Sequence, residues 1–224
     1  MRFLIATAWN VALRPPGLPP LRLFGGPEWI DSFVSFYDIE AKAPEGAIPP
    51  GLPSNISEQR MRQMLRALLE DRFKLKIHAE TRELAIYAVT VAKGAPKLEP
   101  AGMKEKDCPM TDDTAEACHT IQDGGGRLRG KAVTVADVLR FVEGWTDRPL
   151  VDKTGLTGLF KIDTGAGWRD IPEPAPGTKA EDGADLGDVT PLFPIWDRLG
   201  LKLESQKAAV EVYIIDRIEH PSEN

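Results

Sequence analysis

Apolar and polar residues alternate in two registers along this chain. The clearest helical register runs from Ser57, where Met61, Met64, Leu65, Leu68 and Leu69 recur at the three- and four-residue spacing of one helix face. Ser57 is the expected cap of that helix. The pattern then changes to an alternating one, predicting strands at Lys74–Glu80 and Leu84–Ala92 joined as a hairpin at Thr81-Arg82-Glu83. The last structured stretch repeats the theme. A short helix capped by Thr190 and started by Pro191 ends at Gly200; a strand with Leu201 and Leu203 follows, then a strand with Val210, Val212, Ile214 and Ile215.

The two stretches align without a gap. Asp71 falls on Asp197, Arg72 on Arg198, Leu75 on Leu201, Lys76 on Lys202 and Tyr87 on Tyr213, a constant offset of 126 residues (197 − 71). Self-similarity at a fixed offset suggests a duplicated unit; two unrelated helix–hairpin pieces are the other reading.

Other elements complete each half. Residues 3–11 read as a helix with Phe3, Leu4, Ala8 and Trp9 on its apolar side, and Leu21 to Phe24 as a short strand. Ser35 to Lys42 alternates like a strand. In the second half Arg127–Val133 reads as a strand, Thr134 caps a helix through Val142 with Asp137 in its first turn, and Pro149–Asp152 and Gly158–Thr164 read as strands. The expected class is α+β, with two similar units, each packing helices on one face of a small mixed sheet. The expected division is 1–100, entered partway and so truncated at its start; a linker loop, 101–126; and 127–224, with a mobile acidic insert at about 165–189.

Composition narrows the function. The 224 residues carry a net charge of −6 and no basic run, which excludes a nucleic-acid footprint and fits an anionic membrane surface poorly. No apolar run is long enough to span a bilayer, and Met1-Arg2 followed by FLIATAWNVAL lacks the layout of a signal peptide. The two cysteines, Cys108 and Cys118, sit close together in a polar segment. A disulfide in an oxidising compartment is the preferred reading; free thiols, or a partial metal site with His119, are the others. Two cysteines and one histidine fall one short of a structural zinc site, so no metal is assigned.

Catalytic signals are sparse. There is no G-x-S-x-G elbow and no H-E-x-x-H. Gly124-Gly125-Gly126 lacks the Lys-Ser/Thr of a phosphate loop, and no cofactor is indicated. Asp152-Lys153-Thr154-Gly155 reads as a tight glycine turn with Asp152 and Thr154 bonding the backbone. The remaining candidates are Asp38 with Glu40, Asp163, and His78, the last expected to face solvent. A carboxylate-based hydrolase would need two of these about 5–10 Å apart in a cleft.

Several runs resemble a known family. Leu23-Phe24-Gly25-Gly26-Pro27-Glu28-Trp29, the run Tyr37 to Pro44, Met64 to Leu75, Arg148 to Gly158 and the ending Glu219-His220-Pro221-Ser222-Glu223-Asn224 are similar to the soil-bacterial domain of unknown function 3738. The resemblance covers nearly the whole chain. It supplies no catalytic residues, and it implies a leader and an upstream strand that this chain does not show. The second half also resembles, more weakly, the short N-terminal domains of secretins and TonB proteins, which implies a βαββαβ interaction module. The resulting expectation is a periplasmic or secreted, non-catalytic module that binds a protein, a peptide or a small carbohydrate. A glycosidase- or esterase-type hydrolase, with its site between the units, is the alternative.

Overall fold

A computed structural model describes residues 1–15, 17–32, 37–108, 117–124, 127–165 and 194–221. Its centre is a pair of long strands, β2 (Lys76–Val91) and β8 (Leu201–Arg217). They pair antiparallel with each other along their whole length, from Lys76 against Arg217 to Val91 against Leu201. The predicted hairpins at residues 81–83 and after Leu203 are therefore corrected: each segment is one strand. Tight hairpin turns need residues that accept positive φ, chiefly Gly and Asn. Neither Thr81-Arg82-Glu83 nor Glu204-Ser205-Gln206-Lys207-Ala208 contains one. The alternation simply continues, and each strand finds its partner in the other half of the chain.

Two short strands flank this ribbon in parallel. β1 (Leu23–Gly25) lies beside β8 at Tyr213, Ile214 and Ile215. β6 (Leu150–Asp152) lies beside β2 at Tyr87, Ala88 and Val89. These are the positions 126 residues apart that the sequence aligns. Glu83 pairs with Ala209, its own counterpart at that offset, so the pairing pattern maps onto itself. The residues that turn the chain out of the preceding helices also correspond: Lys74 and Gly200 have φ of +48° and +69°. A second, wholly antiparallel sheet has the order β3 (Glu99–Pro100), β7 (Phe160–Asp163), β5 (Arg127–Val133), β4 (Gln122–Gly124). The class is α+β. The central sheet is shared by both halves of the chain, where one small sheet per unit was expected.

Among the described residues four α-helices cover the ribbon. α1 (Arg2–Ala8) and α2 (Ser54–Arg72) enclose one core, with Ile5, Leu23, Leu69, Phe73, Leu75 and Ile215 at its centre. α3 (Val135–Glu143) and α4 (Ile195–Leu199) enclose the other, around Tyr87, Val89, Leu128, Val142 and Leu201. Burying each apolar stripe against the sheet is what holds short helices in place.

Several local expectations are revised. α2 begins at Ser54, after Pro53, three residues before the expected cap; Ser57 is buried within the first turn and caps nothing. Leu69 is fully buried on α2, Leu68 half-buried and Met61 exposed, so the inward stripe is narrower than predicted. Phe3, expected on the apolar side of α1, is 64% exposed, and Ile5 and Ala6 face inward instead. Residues 37–42 are not a strand. The acidic insert, Thr190 and Pro191 lie outside the described residues.

Candidate functional site

The residues singled out from the sequence lie on three separate segments of the chain. Asp38 and Glu40 are exposed on an irregular segment. Asp163 ends β7, where Arg127 bridges its two oxygens and the Gly165 N–H donates to it. The hydrogen bonds from Arg127 and then Gly165 hold its pKa down at about 2. His78 is exposed on the ribbon, its Nδ1 2.9 Å from Asp216 Oδ2 and its Nε2 3.8 Å from Glu80. The bond to Asp216 raises its pKa. Among the described residues no hydrogen bond or ion pair joins any two of these four candidates, and no cluster of His, Cys, Asp and Glu is shaped for a metal.

The structure gathers a different set of groups, where the segment after α1 meets α3. Asn10 turns the chain there. Its φ is +57°, a left-handed conformation that asparagine tolerates. The N–H of Val11 bonds the carbonyl of Ala6 (2.9 Å) and that of Asn10 bonds Thr7 (3.2 Å), the paired closure that satisfies the last carbonyls of a helix. The chain then runs over the end of α3. A Cβ on Gly144 would lie 2.2 Å from the carbonyl oxygen of Leu13, so only glycine lets residues 11–15 pass this closely.

The other wall is the start of α3. Thr134 and Asp137 form a capping box: Asp137 N–H donates to Thr134 Oγ1 (3.1 Å), and Thr134 N–H donates to Asp137 Oδ2 (2.8 Å). The same carboxylate lies 2.8 Å from His119 Nδ1. His119 has φ +59° and is anchored by its N–H to the Ala132 carbonyl (2.9 Å). Its Nε2 lies 2.7 Å from Glu105 Oε1. The disulfide between Cys108 and Cys118, with Cα atoms 5.8 Å apart, ties the Glu105 turn to the His119 turn and packs against Ala132 and Leu159.

These charges tune one another. The bond to Asp137 raises the pKa of His119, against the opposing effect of burial. Burial is the largest influence on Asp137 and pushes it up, but the bonds from His119 and Thr134 together bring it below its ordinary value. Both ring nitrogens of His119 face carboxylates of the protein itself, Asp137 and Glu105.

Between the two walls lies a hollow of about 580 Å³, within the range of small-molecule sites. Its apolar lining includes Val11, Leu13, Ile121, Phe141 and Trp145; Arg14, Arg62 and Arg140 supply charge. Arg140 donates to Asn10 and reaches Asp137 at 3.5 Å. Arg62 pairs with Glu58 at 2.6 Å. Among the described residues Arg14 meets only carbonyls, donating to Pro19 (3.1 Å) and Thr146 (2.9 Å), while its Nε is buried without an acceptor. Burial lowers its pKa. Sequence reasoning named His119 only as a possible metal partner and missed the rest. Periodicity carries no mark of Asn10, Arg14 or Trp145, because their roles depend on a contact between residues about 130 apart, as with Arg14 and Thr146.

Fold and hollow together define an α+β protein with a ligand-sized depression beside a capped helix. The chain belongs to the family described as Protein of unknown function (DUF3738), whose model matches residues 2–218. No curated protein and no solved structure matches it. Among the described residues no helix is long and apolar enough to cross a membrane.

Proposed function

We propose that this chain is a non-catalytic binding module that works in an oxidising, extracytoplasmic compartment. One observation carries the reading: the hollow between residues 10–15 and α3 combines apolar walls with charged groups that are already engaged by their neighbours. That is the composition of a recognition site, where a few polar groups orient a ligand and apolar surface retains it. The hydrolase reading needs two carboxylates, or a histidine with a free nitrogen, facing one cleft. Asp163 is bound by Arg127, His78 by Asp216 and His119 by Asp137 and Glu105, so each is committed to a structural contact. The buried disulfide suits a compartment outside the reducing cytosol.

The test is a thermal-shift screen of the purified chain against small carboxylates, sugars and peptides, followed by calorimetry on any compound that raises the melting temperature. A ligand bound at one site per chain, with no turnover of chromogenic esters or glycosides, is the expected result. Hydrolysis that disappears on substituting Asp38, Glu40, Asp163 or His78 without unfolding would replace this reading with the enzyme.

A further inference from the structure

Resting on that reading, we infer that the hollow takes an amphiphile with one anionic head, a carboxylate or a phosphate, carried on an apolar chain or ring. Two features point to this chemistry. The first is charge. Three guanidinium groups, Arg14, Arg62 and Arg140, line the hollow. Glu58 pairs with Arg62 and Asp137 with Arg140. Among the described residues no carboxylate is in contact with Arg14. The two carboxylates that act on it from a distance, Asp147 and Glu143, are engaged elsewhere, Asp147 by Tyr87 and Arg148 and Glu143 by Arg22. A guanidinium bonded only to carbonyls keeps its full charge, and a ligand anion would neutralise it in a site of reduced dielectric.

The second feature is apolar surface left in water. Seven large hydrophobic residues are exposed in the described structure. Two of them, Leu13 at 39% and Trp145 at 40%, line this hollow. Phe3 and Leu18 line a neighbouring groove that shares Leu13, Arg14 and Pro15 with it. Four of the seven thus surround Arg14. An apolar body lying over Leu13 and Trp145 would remove this surface from water, and its head would meet Arg14. A sugar offers no charge to Arg14 and little apolar surface to Leu13.

The experiment titrates the full chain with sodium laurate below its micellar concentration, and in parallel with dodecyl phosphate, dodecanol and acetate. Binding is read by calorimetry and indole fluorescence. Laurate or dodecyl phosphate should bind at one site per chain, at least tenfold tighter than dodecanol, with no detectable binding of acetate. Whichever anion binds tighter identifies the head group. Arg14→Gln should bring the preferred anion and dodecanol to similar affinities, and Arg14→Lys should keep most of the preference. Trp145→Glu, at a position 40% exposed and checked for folding by circular dichroism, should weaken the anion more than the alcohol. Trp145→Phe should remove most of the fluorescence change. Equal binding of anion and alcohol to the unaltered chain, or a preference that survives both Arg14→Gln and Trp145→Glu, overturns the inference. So does a fluorescence change that persists in Trp145→Phe. A peptide or sugar that binds where these amphiphiles do not would end this inference and leave the binding-module reading standing; ester or glycoside turnover would end both.

Discussion

Glu143 is the most consequential buried charge in the described structure, and replacing it tests how the two halves are joined. Its side chain is 5% exposed at the end of α3. It accepts from Arg22 Nε (2.9 Å) and Nη2 (2.8 Å) and from the Leu150 N–H (2.8 Å). Arg22 also donates to the Leu150 carbonyl at 2.6 Å. One carboxylate thereby links the residue before β1 to the first residue of β6, the two short strands that flank the ribbon. Glu143→Gln keeps the shape but replaces an acceptor oxygen with a donor. One of three donors then loses its partner, and the guanidinium loses its counter-charge. Breaking a buried pair from one side costs about 3–5 kcal/mol. Arg22 is 24% exposed, so water softens the loss, and the low end, about 3 kcal/mol, is expected here. For a chain of this size that corresponds to a fall in melting temperature of roughly 6–12 °C. Urea unfolding followed by circular dichroism measures it, provided the slope of free energy against urea is unchanged. The double substitution Arg22→Met with Glu143→Leu removes both charges and should recover at least half of the loss, because the penalty lies in the unpaired partner. A cost below about 1 kcal/mol for Glu143→Gln, or a double variant no better than the single, would show that this pair does not hold the flanking strands.

Three further outcomes are expected. Leu69→Ala should cost about 2–5 kcal/mol and half-buried Leu68→Ala clearly less, measured by the same unfolding experiment; equal costs would contradict the orientation of α2. His119 has a raised pKa in the folded chain, so its contribution to stability is fully present below its unfolded value of about 6.5 and is lost as pH rises through the folded value. The melting temperature of His119→Gln should therefore fall furthest below that of the parent in mildly acidic buffer and approach it in alkaline buffer; parallel curves would contradict the ion pairs with Asp137 and Glu105. Gly144→Ala forces a Cβ against the Leu13 carbonyl, and should lower the melting temperature and shift the backbone amide resonances of residues 11–15; an unshifted spectrum would place that segment elsewhere.

Local elements governed by local chemistry were legible in the sequence. Thr134 with Asp137 announces α3 through a capping box whose two bonds lie within one turn. The strand at Arg127–Val133, the end of the last helix at Gly200 and the turn in which Thr154 donates to Asp152 follow from side-chain type and spacing in the same way. The ungapped match between Asp71–Val91 and Asp197–Arg217 was visible too, and its offset is the one that relates the strand pairings. Only the tertiary structure decided which strand pairs with which. An alternating strand looks the same whether its neighbour is the next segment or one 126 residues away, because the period-two pattern fixes which face is buried but not the partner. Here the ribbon of β2 with β8 replaced two hairpins, and the absence of Gly and Asn at residues 81–83 and 204–208 was a sequence sign of it. The hollow depends on tertiary structure even more. Arg14 reaches Thr146, Asn10 reaches Arg140 and Glu105 reaches His119 only after the two walls have packed. None of these residues belongs to a motif; long-range packing makes them neighbours, and their chemistry follows from that proximity.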